Sequence, residues 1–190
     1  VAPLLERIAE SEPQLLYAPV YVNWGAEIAA LIREIPPLRE VQLLGADGIF
    51  TPRFLGSAGE AAVGTLLSAP DIEAVGPGYF EFMLVYEDTF GEPPRAPLFG
   101  PAHDAALMIF AAIEDIAQRL DDGALIVGRQ ALLERLHATR NLPGVTGSLT
   151  CSPSGDCGNF STAIYEIVSP DPANWHPGIT PDNNPRRIWP

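Results

Sequence analysis

The sequence predicts an α/β fold whose sheet is doubly wound and mainly parallel. Two observations support this class. Helical and strand-like segments alternate through the first 70 residues. The strand-like segments, such as Val41-Gln-Leu-Leu44, are short apolar runs rather than alternating patterns. Runs of this kind are typical of parallel strands that are covered by helices on both faces.

The elements before Pro70 follow from apolar periodicity and from helix-end signals. Thr51 and Pro52 suit the N-cap and first position of a helix, and Asn23 is the expected cap of an earlier one. Pro36-Pro37 ends that earlier helix. The predicted order is helix 3–11, strand 14–19, helix 24–34, strand 41–44, a short helix after Pro52, and strand 63–68.

After Pro70 the sequence predicts three helices with no strand between them, over 79–90, 101–120 and 129–138. The middle helix is apolar on nearly every side from Ala105 to Ile113, so it must be buried on most sides. We expect it to belong to a domain whose sheet is encoded elsewhere. Residues 144–150 and 161–168 are strand-like, and the Pro- and Asn-rich segment after Pro170 is expected to be irregular.

Two predicted strand ends carry the candidate ligand residues. Asp47 lies on a glycine-flanked turn directly after strand 41–44, and Tyr21 follows strand 14–19. Ligands of open α/β sheets bind at the carboxyl ends of the strands, so a carboxylate and a phenol there predict a pocket for a small polar cation. Two plainer roles stay open: Asp47 as a turn residue, and Tyr21 with its ring on the core.

No motif indicates catalysis. His103 and Asp104 stand at the start of a predicted helix, where Asp is ordinary helix-dipole chemistry and a lone His is more often structural than catalytic. The sequence contains no Gly-x-Ser-x-Gly, phosphate loop or His-Glu-x-x-His motif. It therefore predicts no catalytic residue, no metal site and no cofactor.

The two cysteines, Cys151 and Cys157, flank a Pro-Ser-Gly-Asp turn that can bring them within disulfide range. Two free thiols remain an alternative, and a metal site is disfavoured because no His or second cysteine pair is near. A disulfide would place the chain outside the cytoplasm.

Composition excludes several classes of partner. The net charge of −13 argues against nucleic acid and anionic lipid, both of which need a basic surface. The sequence contains no run of 18 apolar residues, which is the length needed to span a bilayer. The chain begins Val1-Ala-Pro3 without Met or a signal peptide, so we expect a removed leader or a fragment.

The ordered segments resemble the second lobe of type I periplasmic binding proteins, the branched-chain amino-acid type receptors of ABC importers. The segments that carry the resemblance are Leu16-Tyr17 through Tyr21, 25–33, Leu44-Gly-Ala-Asp-Gly48, 59–64, 82–93, His103-Asp-Ala-Ala-Leu107, Gly144-Val-Thr-Gly147 and Gly155-Asp156.

That resemblance implies part of a two-lobed fold, with residues 1–69 in the second lobe. Residues 70–148 would be helical and return to the first lobe, and 149–190 would be a crossover, hairpin and tail on the second lobe. Crossovers are expected near 67–71 and 147–151. The first-lobe sheet, in an N-terminal half, would be missing.

The resemblance also implies function. The protein would be an extracytoplasmic receptor that binds an amino acid or similar small solute and delivers it to an ABC permease in the membrane. Asp47 matches the acid that takes the ligand's ammonium group, Tyr21 matches a pocket aromatic, and His103 stands where the family often has Tyr. A ligand-sensing domain of a signalling receptor and a doubly wound enzyme are the alternatives.

Overall fold

The computed structural model describes residues 1–71, 74, 77–92, 98–158, 161–178 and 180–189. The chain divides into two compact units. Unit 1 contains residues 1–73, 95–97 and 161–190, and unit 2 contains 74–94 and 98–160. Within the described part of the chain, no helix is both long and apolar enough to cross a membrane.

In the part of the chain that the structure describes, unit 1 is built on a five-stranded sheet in the order β1-β2-β3-β8-β9. The first three strands are parallel, whereas β8 and β9 join antiparallel at the β3 edge. The α/β class and the parallel start of the sheet are therefore confirmed. The strands are β1 Leu15–Ala18, β2 Gln42–Gly45, β3 Leu66–Pro70, β8 Thr162–Glu166 and β9 Arg186–Trp189.

Three helices cover this sheet: α1 Ala2–Ala9, α2 Val22–Glu34 and α3 Pro52–Ala58. The Thr51 side chain accepts a hydrogen bond from the Arg53 N–H, so its predicted capping role is confirmed. The prediction for Asn23 is wrong, because α2 begins at Val22, two residues earlier than expected, and Tyr21 is its N-cap. Fully buried side chains from helices and strands form one core: Ile32, Leu43, Phe54, Leu55, Leu67, Tyr165 and Ile167.

The C-terminal segment is more ordered than its composition predicts. β9 pairs with β8, and Arg186 forms a 2.7 Å ion pair with Glu166 on that strand. Arg187 donates to the buried Asp71 carboxylate at 2.8 Å, just beyond the end of β3. Charge pairing therefore fixes a strand that hydrophobic patterning alone does not reveal.

The described residues of unit 2 form three helices and two short hairpins. The helices are α4 Pro77–Phe90, α5 Phe99–Ile116 and α6 Arg129–His137. One hairpin pairs β4 Gln118–Arg119 with β5 Leu125–Ile126, and the other pairs β6 Leu142–Gly144 with β7 Gly147–Leu149. The three helices match the expected ones, although α5 ends at Ile116 rather than near residue 120. The prediction that no strand lies between them is wrong, because β4 and β5 separate α5 from α6.

The core of unit 2 is small. Met108, Leu149 and Cys151 form its buried cluster. The apolar helix α5 is only partly covered, because Ile109 and Phe110 are 42% and 63% exposed. Residues 147–158 belong to this unit, so the chain returns to unit 1 later than the crossover predicted at 147–151.

Candidate functional site

The candidate site in unit 1 lies at the carboxyl ends of two neighbouring parallel strands. β1 and β2 are paired in register, with Ala18 opposite Gly45. After β2 the chain makes a short 3-10 turn over Asp47–Ile49, closed by hydrogen bonds from Ile49 N–H to Ala46 and from Phe50 N–H to Asp47. The two strand ends therefore present their loops side by side.

The Asp47 side chain is exposed and takes no part in holding its own turn. Its carboxylate forms no hydrogen bond or ion pair with any described residue, and the turn is closed by the Asp47 carbonyl instead. A turn residue of the Asx type would accept a backbone N–H with its side chain. Asp47 is thus a negative charge at the sheet edge with no protein partner in the described chain.

Tyr21 lies beside this turn. Its side chain is 79% exposed, so the ring does not belong to the core. The loops approach so closely that a Cβ on Gly48 would be 2.8 Å from the Val20 carbonyl oxygen and 3.3 Å from Cδ1 of the Tyr21 ring. Glycine is required there because any larger residue would push the two loops apart.

The side chains of Asp47 and Tyr21 are chemically suited to binding a small cation. A carboxylate offers a charged acceptor, and an aromatic ring nearby offers its π-face to an ammonium group. Trp24, one helical turn beyond Tyr21 at the start of α2, is also 56% exposed. Sequence reasoning singled out Tyr21 and Asp47 but not this second aromatic residue.

His103 belongs to unit 2, near the start of α5. Its side chain is 42% exposed, its Nδ1 lies 3.1 Å from Asp104 Oδ1, and its ring centroid is 5.1 Å from that of Phe82. Those contacts hold the imidazole in place and leave part of it accessible. A ligand role for His103 stays a prediction.

Asp104 has a larger role than the helix-dipole one predicted for it. It is 2% exposed, and its carboxylate accepts hydrogen bonds from the Val145 N–H, the Thr146 N–H and the Thr146 hydroxyl, at 2.8, 2.8 and 2.6 Å. A Cβ on Gly144 would lie 2.5 Å from Asp104 Oδ2, so glycine is needed for this approach. Asp104 therefore fixes the tip of the β6–β7 hairpin to α5.

The charge on Asp104 is stabilised by these contacts. Burial alone would raise the pKa of its carboxyl, but hydrogen bonds from Thr146, His103 and Val145 outweigh burial, and the pKa lies below its usual range. The carboxylate thus stays ionised inside unit 2. Sequence reasoning missed this role because the hairpin lies some 40 residues from α5 along the chain.

Cys151 and Cys157 form a disulfide within unit 2. Neither free cysteines nor a group of His, Cys, Asp and Glu suited to a metal ion occurs among the described residues. The bond closes the turn that follows β7.

Neither a family model nor a curated protein matches the sequence. Solved structures do match its fold. A leucine-binding protein from Thermotoga maritima superposes with a TM-score of 0.67 and 25% identity, over 90% of this chain and 46% of its own. The chain has the type I periplasmic-binding-protein fold.

Other structures with this fold agree. A branched-chain amino-acid transporter substrate-binding protein from Streptococcus pneumoniae, in complex with isoleucine, matches 93% of this chain and 45% of its own, at a TM-score of 0.58 and 14% identity. A Rhodopseudomonas palustris solute-binding protein of an ABC transporter, in complex with 3,4-dihydroxybenzoic acid, matches 88% and 45%, at a TM-score of 0.56 and 19% identity.

These neighbours are named for solute binding: one for leucine, one as the substrate-binding protein of a branched-chain amino-acid transporter, and one as the solute-binding protein of an ABC transporter. The chain spans about half the length of the structures that it matches and resembles their C-terminal half.

Proposed function

We propose that this chain is the C-terminal part of an extracytoplasmic solute-binding protein. The complete protein captures an amino acid, or a similar small solute with an ammonium group, and delivers it to an ABC permease. The observation that carries this proposal is the Asp47 carboxylate, which has no partner in the described chain and stands beside Tyr21 at the strand ends. The fold supports the solute-binding role, and the site supports the ligand class.

The charge at the site favours an amine over an acid. An unpaired carboxylate attracts the ammonium group of leucine and repels the anionic carboxylate of a benzoic acid. We therefore propose that Asp47 takes the ammonium group, as in the family that the sequence resembles. Groups for the ligand's own carboxylate would come from the remaining part of the protein.

The exposed apolar residues of unit 2 support a missing N-terminal half. We call six of them the apolar set: all are more than 40% exposed, four lie on α4, and the other two are the α5 residues noted above. Side chains of this kind on two helices need an apolar cover in a soluble protein. A sheet of the first lobe would provide it. The apolar set is Phe80, Leu84, Val85, Phe90, Ile109 and Phe110.

Calorimetric titration of the full-length protein tests the ligand assignment. Leucine, isoleucine and 3,4-dihydroxybenzoate are titrated into the wild type and into Asp47→Asn. We expect an amino acid to bind, and the substitution to weaken that binding by about 1.5–3 kcal/mol, the scale of a charged hydrogen bond.

Asp182→Asn is the matched control, because Asp182 is an exposed aspartate of the same unit. If Asp47→Asn and the wild type bind every amino acid with equal affinity, Asp47 does not contact the ligand. If only the benzoate binds tightly, the ligand is an anion and the proposed amine ligand is wrong.

A further inference from the structure

Unit 2 contains a cavity of about 310 Å³ between α5, α6 and the β6 strand. Its volume is at the small end of the range for ligand pockets. Met108, Ala111, Ala112 and Leu142 form an apolar part of its wall, and the small alanine side chains leave the space open. None of these residues belongs to the candidate site in unit 1.

The polar part of the wall contains a threonine whose hydroxyl has no partner in the described chain. Thr139 is only 5% exposed, and its backbone groups are bonded to Leu136, Cys151 and Arg140. Its hydroxyl, however, forms no hydrogen bond with any residue that the structure describes. A hydroxyl that is unpaired within the described chain and lies on the cavity wall can donate a hydrogen bond to a ligand group there.

Two guanidinium groups line the same cavity, and they differ in charge balance. Arg135 forms a 2.6 Å ion pair with Asp115 of α5. Arg140 has no carboxylate partner in the described chain. It is held instead by hydrogen bonds from its Nη1 to the carbonyls of His137 and Thr139, at 2.8 and 2.7 Å. The cavity therefore carries one uncompensated, positioned positive charge.

We propose that this cavity binds a small aliphatic monocarboxylate. The hydrocarbon part contacts Met108 and the alanines, and the carboxylate accepts hydrogen bonds from the Arg140 guanidinium and the Thr139 hydroxyl. Guanidinium groups match carboxylates in geometry and charge, and an apolar wall excludes small inorganic anions as the preferred ligand. The site is independent of the amino-acid site proposed for unit 1.

Methionine-methyl NMR of the full-length protein tests the proposal, with hexanoate as the probe. This chain has two methionines, Met83 on α4 and Met108 in the cavity wall. Met108→Leu assigns the cavity signal. Hexanoate is expected to shift the Met108 methyl in a saturable manner and to leave that of Met83 unchanged. Hexylammonium, with the same chain and the opposite charge, should cause no saturable shift.

Three variants examine the individual contacts. Arg140→Gln should weaken hexanoate binding by about tenfold or more, since it removes a charged hydrogen bond. Ala111→Leu should abolish the shift by filling the cavity. Arg129→Gln, at an exposed arginine at the start of α6 and outside the cavity wall, should bind as the wild type does.

The proposal is overturned if hexanoate gives no saturable shift at tens of millimolar. It is also overturned if hexylammonium binds equally, or if Arg140→Gln and Ala111→Leu both bind normally. Asp47→Asn should leave the hexanoate response unchanged. Absence of hexanoate binding therefore refutes the cavity site and leaves the amino-acid site proposed for unit 1 unaffected. Absence of amino-acid binding refutes the unit 1 site and leaves the cavity site unaffected.

Discussion

Replacing Asp104 by Asn should loosen the β6–β7 hairpin and destabilise unit 2. The substitution keeps the shape of the side chain but leaves only one oxygen. Either orientation of the amide turns its NH2 group toward the Val145 N–H or the Thr146 N–H, both of which now donate to the carboxylate. At least one backbone donor thus loses its acceptor, at a cost of about 1.5–3 kcal/mol for a charged hydrogen bond.

Native-state hydrogen exchange measures this loss where it occurs. The amides of Val145 and Thr146 should exchange about 10- to 100-fold faster in Asp104→Asn, because each 1.4 kcal/mol is a factor of ten. Urea unfolding followed by circular dichroism should show a lower midpoint for unit 2. Asp121→Asn, at an exposed aspartate of the same unit, is the matched control.

The reasoning would be refuted by unchanged exchange at both hairpin amides in Asp104→Asn. An equal loss of stability in Asp121→Asn would point to general charge effects instead. Rescue of protection by Asp104→Glu is not expected, since the longer side chain does not fit a 2% exposed site beside Gly144.

Three further predictions concern pH, the disulfide and the loop contact. The pKa of Asp104 is lower in the folded protein than its ordinary value of 3.8. The stability that its carboxylate contributes is therefore fully present above pH 3.8 and is lost as the pH falls through the folded pKa. Hydrogen exchange should show that the hairpin loses protection over this pH range in the wild type but not in Asp104→Asn. Reducing the Cys151–Cys157 bond should lower the stability of unit 2 by about 2 kcal/mol, the loop-entropy value for so short a closed loop, and guanidinium unfolding with and without reductant measures it; an unchanged midpoint would contradict the estimate. Gly48→Val should separate the loop from Tyr21 and weaken amino-acid binding in calorimetry while unfolding remains cooperative; wild-type affinity would show that the contact is dispensable.

Local signals were sufficient for much of unit 1. Continuous apolar runs predicted β1, β2 and β3, and the Thr51-Pro52 pair placed the start of α3, because strand burial and helix capping depend on residues close in sequence. The N-cap of α2 was predicted two residues too late, at Asn23 instead of Tyr21. Val22 continues the helix toward Tyr21, although neither residue provides a capping oxygen, and packing of Val22 against the core decides the boundary.

Long-range pairing explains what the sequence did not reveal. β9 has little apolar character, and its place depends on backbone pairing to β8 and on ion pairs with residues 20 and 116 positions away. The adjacency of Tyr21 to the Asp47 turn was predictable from parallel strand order. The sequence could not predict that the Asp47 carboxylate has no partner in the described chain, because an Asp-Gly pair is equally compatible with an Asx turn.

The split of unit 1 along the chain has a consequence for biosynthesis. Strand β3 emerges from the ribosome long before β8, its neighbour, because all of unit 2 is translated between them. The β3 edge therefore stays unpaired during the synthesis of unit 2, and open edges of this kind recruit other chains. A nascent chain stalled within unit 2 carries a half-built sheet together with the uncovered apolar set. For the extracytoplasmic protein proposed above, export before folding would keep this half-built sheet from forming in the cytoplasm.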